Sequence, residues 1–318
     1  MNQTPLIATI GLLLFLIISC DNQKKQIRTE EGFVKVKGGK IWYRVVGKGD
    51  KTPILMLHGD PGGQSYYLNP LRPLSKDRPV ITFDQLGCGR SDEITDTLLM
   101  TMDNYVEQVR QLLISLKVKN FYLYGHSWGT MLGTDYYLKY PEGVQALILA
   151  SPCLSTKMWM SDADTLISML PDTIQLALKK SKNNFQQDSS KLIEAIRYFG
   201  KIYYTRQPHP FLRYFRDSIG FSKGANVYNY MWGNSEFNAT GTMKNYDRTP
   251  DLKRIKIPTL YLTGEYDAAR PATVRYYQTL TTKSKFVINK GAGHVTMNDN
   301  PDADIKTISD FLNDLEKN

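Results

Sequence analysis

Cysteine and histidine are scarce in this chain, with three and four copies in 318 residues. So few cysteines exclude a disulfide-stapled scaffold, and their spacing does not match a zinc site. The sequence also lacks internal repeats, low-complexity tracts, a phosphate-binding loop and an RNA-binding module. We therefore predict no metal and no cofactor.

Charge is unbalanced but dispersed: the formal net charge of +9 is spread along the chain and is not concentrated in one basic patch. Such a balance is weak evidence for nucleic acid, which we do not predict as a partner. It fits an anionic membrane surface better, given the N-terminal segment described next. With 42% hydrophobic residues, the chain can bury one large core, or one core plus a lid.

The N-terminus carries an apolar run, residues 6–18, of signal-peptide length. It leads into Leu-Ile-Ile-Ser-Cys, which resembles a bacterial lipobox, although the residues before the run include no Lys or Arg. We predict a lipoprotein signal peptide over residues 1–19, lipidation of Cys20 and a polar tether over residues 20–32. An uncleaved anchor helix is the alternative. Either one places the domain outside the cytoplasm on a membrane, in the bacterial cell envelope.

The most informative stretch is residues 125–129, Gly-His-Ser-Trp-Gly, between a predicted strand at 121–124 and a predicted helix at 130–140. A G-x-S-x-G pentapeptide in this context is a nucleophile elbow, a turn so tight that both flanking positions need glycine. The turn holds the serine out at the carboxyl end of the strand. Ser127 is therefore the predicted nucleophile, against a plain helix-capping serine as the alternative.

A serine hydroxyl needs a base to take its proton, and the four histidines allow a choice by elimination. His126 lies inside the elbow, where we expect its side chain to project away from the serine. His58 belongs to another turn, and His209 lies between two prolines in an irregular basic segment. His294 follows a late strand at 285–288, where the order serine, acid, histidine places the base.

The catalytic acid should follow the strand that precedes the strand at 285–288. The apolar run at 258–264 opens into Glu265, Tyr266 and Asp267, whereas the strand at 146–150 is followed by no carboxylate. Asp267 is the predicted acid and Glu265 its rival. The alternative is an acidic turn without a catalytic role. It is disfavoured because the sequence offers His294 no better partner.

A glycine- and proline-rich turn, residues 58–63, follows the first core strand. Such a rigid turn can point backbone N–H groups into the site. We predict that the N–H of Asp60 and the N–H of Trp128 hold the tetrahedral oxyanion. A plain β-turn is the alternative.

Beyond the tether, strands and helices alternate up to about residue 155 and again from about residue 257. Continuous apolar strands separated by helices predict an α/β protein with a mostly parallel sheet covered on both faces. The predicted elements are a hairpin at 34–46, strands near 54–58, 80–83, 121–124 and 146–150, and a helix over 103–116 with Asp103 as its N-cap. The interval between about residues 155 and 257 is predicted to be helical and is rich in aromatic and basic residues. It is predicted to lie over the serine as a cap. The predicted division is core at 33–154, cap at 155–246 and core again at 247–318.

Cys88 and Cys153, both after strands, are expected to be free buried thiols, with a disulfide as the alternative.

The order of these motifs resembles the α/β-hydrolase fold and, in finer detail, the proline iminopeptidases (prolyl aminopeptidases) of peptidase family S33. The resemblance covers nearly all of residues 33–318. The segments that carry it, in family order, are residues 84–91, 125–129, 231–237, 264–267 and 293–294. The segment Met-Trp-Gly-Asn-Ser-Glu-Phe at 231–237 is the most specific, because generic esterases of this fold lack it.

The resemblance implies metal-free hydrolysis of the bond after an unblocked N-terminal residue, preferably proline, in short peptides. It also implies that Glu236 binds the substrate's cationic amine from the cap, as a carboxylate does well through charge-assisted hydrogen bonds. Two positions depart from the family pattern. Ala268 stands where the family has a second glutamate, and Asp60 stands where it usually has glycine. Asp60 is therefore a possible auxiliary amine ligand.

Three functions stay open on the sequence alone. The first is a membrane-tethered, proline-releasing aminopeptidase acting on small peptides. The second is a serine esterase, lactonase or amide hydrolase with an uncharged small substrate. The third is a catalytically idle lipoprotein that binds through its aromatic cap, which the complete set Ser127, Asp267 and His294 argues against. Glu236 separates the first from the second.

Overall fold

The structure is a computed structural model that describes residues 29–47, 49–183, 190–208 and 224–317. In chain order the strands are β1 (Thr29–Val36), β2 (Gly39–Val46), β3 (Ile54–Leu57), β4 (Val80–Phe83), β5 (Phe121–His126), β6 (Val144–Ala150), β7 (Thr259–Gly264) and β8 (Ser284–Asn289). The α-helices are α1 (Met102–Ser115), α2 (Trp128–Lys139), α3 (Thr156–Ser168), α4 (Asp172–Asn183), α5 (Ser190–Tyr203), α6 (Ala225–Met231), α7 (Pro271–Leu280), α8 (Thr296–Asp299) and α9 (Pro301–Glu316). Short 3₁₀ segments cover Ser65–Lys76, Thr97–Leu99 and Thr249–Arg254.

The strands form one sheet in the order β1-β2-β4-β3-β5-β6-β7-β8. The hairpin β1–β2 and the pair β2–β4 are antiparallel, and the pairs from β4–β3 to β7–β8 are parallel. The mostly parallel α/β sheet predicted from the sequence is confirmed. Its parallel strands end at one edge, so the loops that follow β3, β5, β7 and β8 meet there.

Both faces of the sheet are buried, as the continuous apolar strands require. Side chains alternate between the faces along each strand: Leu55 and Leu57 belong to one core cluster, and Ile54 and Met56 to the other. The first cluster includes buried residues of α1, α2 and α7. The second includes residues of α9 and of the 3₁₀ segment Ser65–Lys76.

Helix α1 begins one residue earlier than predicted, and its N-cap is Thr101. The Thr101 hydroxyl accepts a hydrogen bond from the N–H of Asn104 at 3.3 Å, whereas Asp103 lies within the first turn. The prediction of Asp103 as N-cap was wrong because threonine caps as aspartate does, and a carboxylate in the first turn is favoured by the helix dipole instead.

Helices α3 to α6 are inserted between β6 and β7. The chain enters and leaves this insertion at one place, where Ser155 and Asp247 form an antiparallel bridge and the N–H of Thr156 donates to the carbonyl of Tyr246 at 2.9 Å. The division into core and cap at residues 155–246 stays a prediction.

Cys88 and Cys153 are buried thiols and form no disulfide among the described residues, as predicted. The signal peptide, Cys20, most of the tether and His209 lie outside the described residues. Within the described ranges, the helices are too short or too polar to cross a membrane.

Candidate active site

Ser127 joins the end of β5 to the start of α2 in a strained conformation, with φ 53° and ψ −121°. A non-glycine residue in such a region costs about 1–3 kcal/mol, which the surrounding structure must offset. The flanking glycines make the turn possible through close packing. A Cβ on Gly125 would lie 2.3 Å from the carbonyl oxygen of Gly129, and one on Gly129 would lie 2.3 Å from that of Leu57. Backbone contact therefore excludes any side chain at either position.

The His294 ring contacts Asp267 at 2.7 Å, from Nδ1 to Oδ1. Both side chains are buried. Since an ionised carboxylate only accepts, Nδ1 carries the proton, and Nε2 is left as the basic nitrogen. Burial lowers the pKa of His294, but the negative charge of Asp267 and its hydrogen bond outweigh burial. The net pKa is raised above its ordinary value.

The carboxylate of Asp267 is fixed from several directions. Oδ1 accepts from the N–H of Ala269 at 2.7 Å, and Oδ2 accepts from the N–H of Gly264 at 3.1 Å. The hydroxyls of Ser151 and Thr263 lie 2.6 and 2.8 Å from Oδ2. These contacts hold the negative charge against one edge of the imidazole.

Glu265, the rival acid, has a different environment. Its carboxylate pairs with the Lys290 ammonium at 3.3 Å and accepts from the N–H of Gly291 at 3.0 Å on the surface. The backbone hydrogen bond from Gly291 and the Lys290 ammonium lower the pKa of Glu265. Of the two predicted acids, the structure brings Asp267 to His294.

Three aromatic rings surround the imidazole of His294. Trp159 of α3 and Tyr204, just after α5, lie 5.3 and 5.2 Å away between ring centroids, and His126 lies 4.9 Å away. The inserted helices therefore contact the predicted base directly. His126 lines the same cavity as Ser127, and the expectation that its side chain projects away from the serine stays a prediction.

The turn after β3 lies against the elbow. Asp60 has φ 55°, and its carbonyl accepts from the N–H of Gly63 at 2.8 Å, which closes a tight turn. A Cβ on Gly59 would lie 3.1 Å from the Cβ of Ser127, so this glycine permits the close approach. In the described part of the chain, no acceptor pairs with the N–H of Asp60. The N–H of Trp128 begins a helix and has no partner within it. Their role as oxyanion donors stays a prediction.

His58 takes no part in this cavity. Its Nε2 accepts from the N–H of Gln85 at 3.2 Å, so Nδ1 carries the proton and donates to the carbonyl of Gly59 at 2.9 Å. Desolvation lowers the pKa of this fully buried ring. These two hydrogen bonds hold the turn after β3 in place.

A cavity of about 720 Å³ opens above Ser127, within the range of small-molecule sites. Ser127, His294, Asp60 and Glu236 all line it. Glu236 accepts a hydrogen bond from the Tyr228 hydroxyl and is also hydrogen-bonded to Tyr204. The site thus combines an acidic wall with the predicted nucleophile and base.

Asp60 and Glu236 influence each other across this wall. The Asp60 side chain is open to the water of the cavity, yet protein atoms crowd it closely. This desolvation, and then the charge of Glu236, raise the pKa of Asp60 to about 6. Burial and the same carboxylate raise the pKa values of Tyr204 and Tyr228 well above the ordinary value. Both phenols therefore stay protonated and can donate to Glu236.

Sequence reasoning missed the side chains that support the site. Ser151 follows a strand and Thr263 lies in one, and neither belongs to a motif. Tyr67 lies in a 3₁₀ segment next to one other tyrosine, Tyr66. The aromatic enrichment of the inserted segment was the signal for Tyr204 and Tyr228, but it did not single them out. Among the described residues, no group of three or more His, Cys, Asp or Glu side chains has the arrangement of a metal site.

Comparison with known proteins agrees with this architecture. The α/β hydrolase fold family matches residues 52–301. The proline iminopeptidase of Heyndrickxia coagulans is 39% identical over 90% of this chain and 99% of its own length. That of Saccharolobus solfataricus is 31% identical over 91% of this chain and 94% of its own.

Solved structures show the same fold. The proline iminopeptidase of Mycobacterium smegmatis superposes with a TM-score of 0.83, at 24% identity over 90% of this chain and 98% of that one. VinJ superposes with a TM-score of 0.84, at 29% identity over 90% and 99%. The chain therefore belongs to the α/β-hydrolase family, as a hydrolase of the proline iminopeptidase type.

Proposed function

We propose that this protein is a serine aminopeptidase that releases an N-terminal residue, preferably proline, from short peptides through an acyl-enzyme. The observation that carries the proposal is that Asp60 and Glu236 share one cavity wall with Ser127. Although the chain has a net charge of +9, none of the described residues that line the cavity is Lys or Arg. A negative wall in a basic protein suits a cationic α-amine.

In the proposed reaction, Glu236 and Asp60 hold the amine so that the first peptide carbonyl faces Ser127. Nε2 of His294 takes the proton of the Ser127 hydroxyl as Oγ attacks the carbonyl carbon. Asp267 stabilises the imidazolium that forms. The N–H groups of Asp60 and Trp128 would bind the developing oxyanion.

The imidazolium of His294 then donates its proton to the leaving amine, and the C–N bond breaks. Water enters, gives a proton to Nε2 and attacks the acyl carbon. The C–Oγ bond then breaks, Oγ takes the proton back from Nε2, and the first residue leaves as a free amino acid. The same base and the same donors serve both halves of the reaction.

Beside Ser127 lies a narrow recess of about 20 Å³ with mainly apolar walls. Met131, Trp159 and Trp232 are among its lining residues, together with Asp60 and Glu236. A volume of this size holds little more than one water-sized group. It favours a compact first residue over a long or branched one.

Ala268 is buried beside Asp267 and contributes no charge. The amine site proposed for this chain therefore consists of Glu236 and Asp60, in place of the two glutamates that the family resemblance implies. Since Asp60 approaches from the turn after β3 and not from the loop after β7, the amine is held from a different direction. This change can shift the preference for proline.

The test is a hydrolysis panel: p-nitroanilides of proline, alanine and N-acetylproline, and p-nitrophenyl acetate as the uncharged ester. We expect the free-amine amides to exceed N-acetylproline amide in kcat/KM by about 100-fold or more, from about 3 kcal/mol of amine recognition. Equal cleavage of blocked and free amides would instead support the esterase, lactonase or amide hydrolase alternative.

We also propose that the enzyme is a lipoprotein of the bacterial cell envelope, anchored through Cys20. The support is the apolar run and lipobox-like sequence before Cys20. Multiple acyl chains would anchor it stably, unlike a single one. Mass spectrometry of the mature protein should show an acylated N-terminal cysteine, and the protein should partition into the detergent phase. Cys20→Ser should abolish both the acylation and the partitioning. An unmodified cysteine in a protein released to the soluble fraction would contradict the proposal.

A further inference from the structure

A directed chain of hydrogen bonds runs behind Ser127, and its direction follows from one group. The main-chain oxygen of His294 can only accept, and Nε2 of His126 lies 2.8 Å from it. Nε2 therefore carries the proton of the His126 ring. In the neutral ring, Nδ1 is then an acceptor.

Tyr67 provides the next bond. Its hydroxyl lies 2.9 Å from Nδ1 of His126, and because Nδ1 accepts, the hydroxyl donates. The same oxygen accepts from the N–H of Gly59. The order is therefore Gly59 N–H to Tyr67 O–H, to His126 Nδ1, and from His126 Nε2–H to the carbonyl of His294.

The neutral state of His126 that this chain requires has a physical cause. Its side chain is almost completely buried, and desolvation followed by the charge of His294 lowers the pKa of His126 to about 3. The tyrosine and histidine rings also pack edge to face, with centroids 5.4 Å apart. Packing and hydrogen bonding thus favour one orientation of His126.

The chain connects three separate parts of the site. Gly59 precedes Asp60, whose N–H is a predicted oxyanion donor. His126 precedes Ser127 in the elbow, and His294 is the predicted base. Two side chains and three backbone segments therefore set the relative positions of donor, nucleophile and base.

We propose that Tyr67 and His126 are positioning residues, which hold the oxyanion turn and the His294 loop in register with Ser127. The inference rests on the acyl-transfer part of the proposed function and not on amine recognition. Neither side chain transfers a proton in the reaction. Their removal should therefore lower kcat for every acyl substrate and leave KM nearly unchanged.

Tyr67→Phe removes one hydroxyl and leaves two partners unpaired, the N–H of Gly59 and Nδ1 of His126. We expect kcat to fall by about 10- to 100-fold, the range for a misplaced oxyanion donor, for both p-nitrophenyl acetate and alanine p-nitroanilide. Tyr276→Phe, at an exposed tyrosine of α7, is the control and should leave kcat unchanged. A loss confined to KM, or to the amide alone, would show that Tyr67 contacts the substrate and would overturn the inference.

A double-mutant cycle tests whether the two side chains act as one unit. With His126→Phe, the added loss from Tyr67→Phe should be less than about 3-fold, because the partner is already gone. His126→Gln, which keeps an N–H near the Nε2 position, should retain more activity than His126→Phe. Additive losses would mean independent roles and would contradict the proposal.

Nitrogen NMR of the histidine rings provides a readout that does not depend on activity or on refolding of a core variant. In the wild type, His126 should remain the neutral Nε2–H tautomer from pH 5 to pH 9. A protonated ring, or the Nδ1–H tautomer, would overturn the hydrogen-bond order. If Glu236→Gln had no selective effect on amides while the cycle still showed coupling, the aminopeptidase proposal would fail and this inference would stand.

Discussion

The two sides of the cavity are built differently. One side, the base side, contains Asp267 and His294. Backbone N–H groups and the hydroxyl groups of small side chains, at the carboxyl ends of the strands, hold the Asp267 carboxylate there. On the proposed amine side, Glu236 is hydrogen-bonded to the phenols of Tyr228 and Tyr204, and Asp60, whose pKa the charge of Glu236 helps to raise, is open to the water of the cavity. The base side pairs opposite charges, whereas the amine side places like charges together. The proposed catalytic pair is thus held at the edge of the sheet, whereas the proposed amine-binding pair lies on the turn after β3 and on the inserted segment.

This difference has an energetic reading. A carboxylate next to an imidazole is stable without a substrate, because each partner favours the charged form of the other. Two carboxylates on one wall are unfavourable until a cation arrives, and this repulsion adds to desolvation in raising the pKa of Asp60. Binding of an ammonium group would relieve that repulsion. The proposed amine side should therefore prefer a cation over a neutral ligand.

The largest effect is expected at the point where the two sides meet. Ser127→Ala should lower turnover of amides and esters alike, by about 10⁴-fold or more, because both reactions need the serine hydroxyl as nucleophile. The elbow should persist, since alanine replaces only a hydroxyl. Steady-state kinetics and circular dichroism check this, and retention of more than a few per cent of activity would refute the nucleophile assignment.

The base side alone is tested by Asp267→Asn. The amide no longer favours the required tautomer of His294 or stabilises its imidazolium, so kcat should fall by about 10⁴-fold for amide and ester equally. Glu265→Gln is the matched control in the same loop and should change kcat by less than about 2-fold, because its partners are at the surface. A larger loss from the Glu265 variant would exchange the two acids.

The sequence predicted the base side better than the amine side, for a physical reason. An elbow needs glycines at fixed spacing, and parallel strands bring their carboxyl ends together. The order of motifs therefore predicted the partnership of Asp267 and His294, which lie 27 residues apart. Tyr67, Tyr228 and Ser151 reach the site through long-range packing that leaves no local pattern. The hydrogen-bond partners of His126 could not be predicted for the same reason, because they come from distant loops.

The amine side is tested by Glu236→Gln, which keeps the size of the side chain and removes its charge. We expect kcat/KM for alanine p-nitroanilide to fall by tens- to hundreds-fold, corresponding to about 2–3 kcal/mol. The uncharged ester should change little, because it has no amine to bind. Glu194→Gln, at an exposed position of α5, is the control. Equal losses on amide and ester would show that Glu236 serves the fold or the acyl transfer and not the amine.

The smallest effect is expected at Asp60. It gives the sharpest test of whether Asp60 and Glu236 act as a pair of like charges. With a pKa of about 6, Asp60 is ionised above that pH and neutral below it, so the amine side loses one negative charge as the solution is acidified. His294 also loses basicity on acidification, because its raised pKa makes it protonated at higher pH than an ordinary histidine. The ratio of kcat/KM for the free-amine amide to that for the ester removes the His294 contribution, since both substrates need the same base.

We expect this ratio to fall by about 10-fold as pH decreases from 7.5 to 5, in line with the loss of one charge-assisted contact. In Asp60→Asn, the ratio at pH 7.5 should already be lowered to that level and should then vary little with pH. The variant keeps the backbone N–H, so ester hydrolysis should remain within about 3-fold of the wild type. If the ratio in the wild type were flat over this range, Asp60 would not bind the amine, and Glu236 would carry the recognition alone.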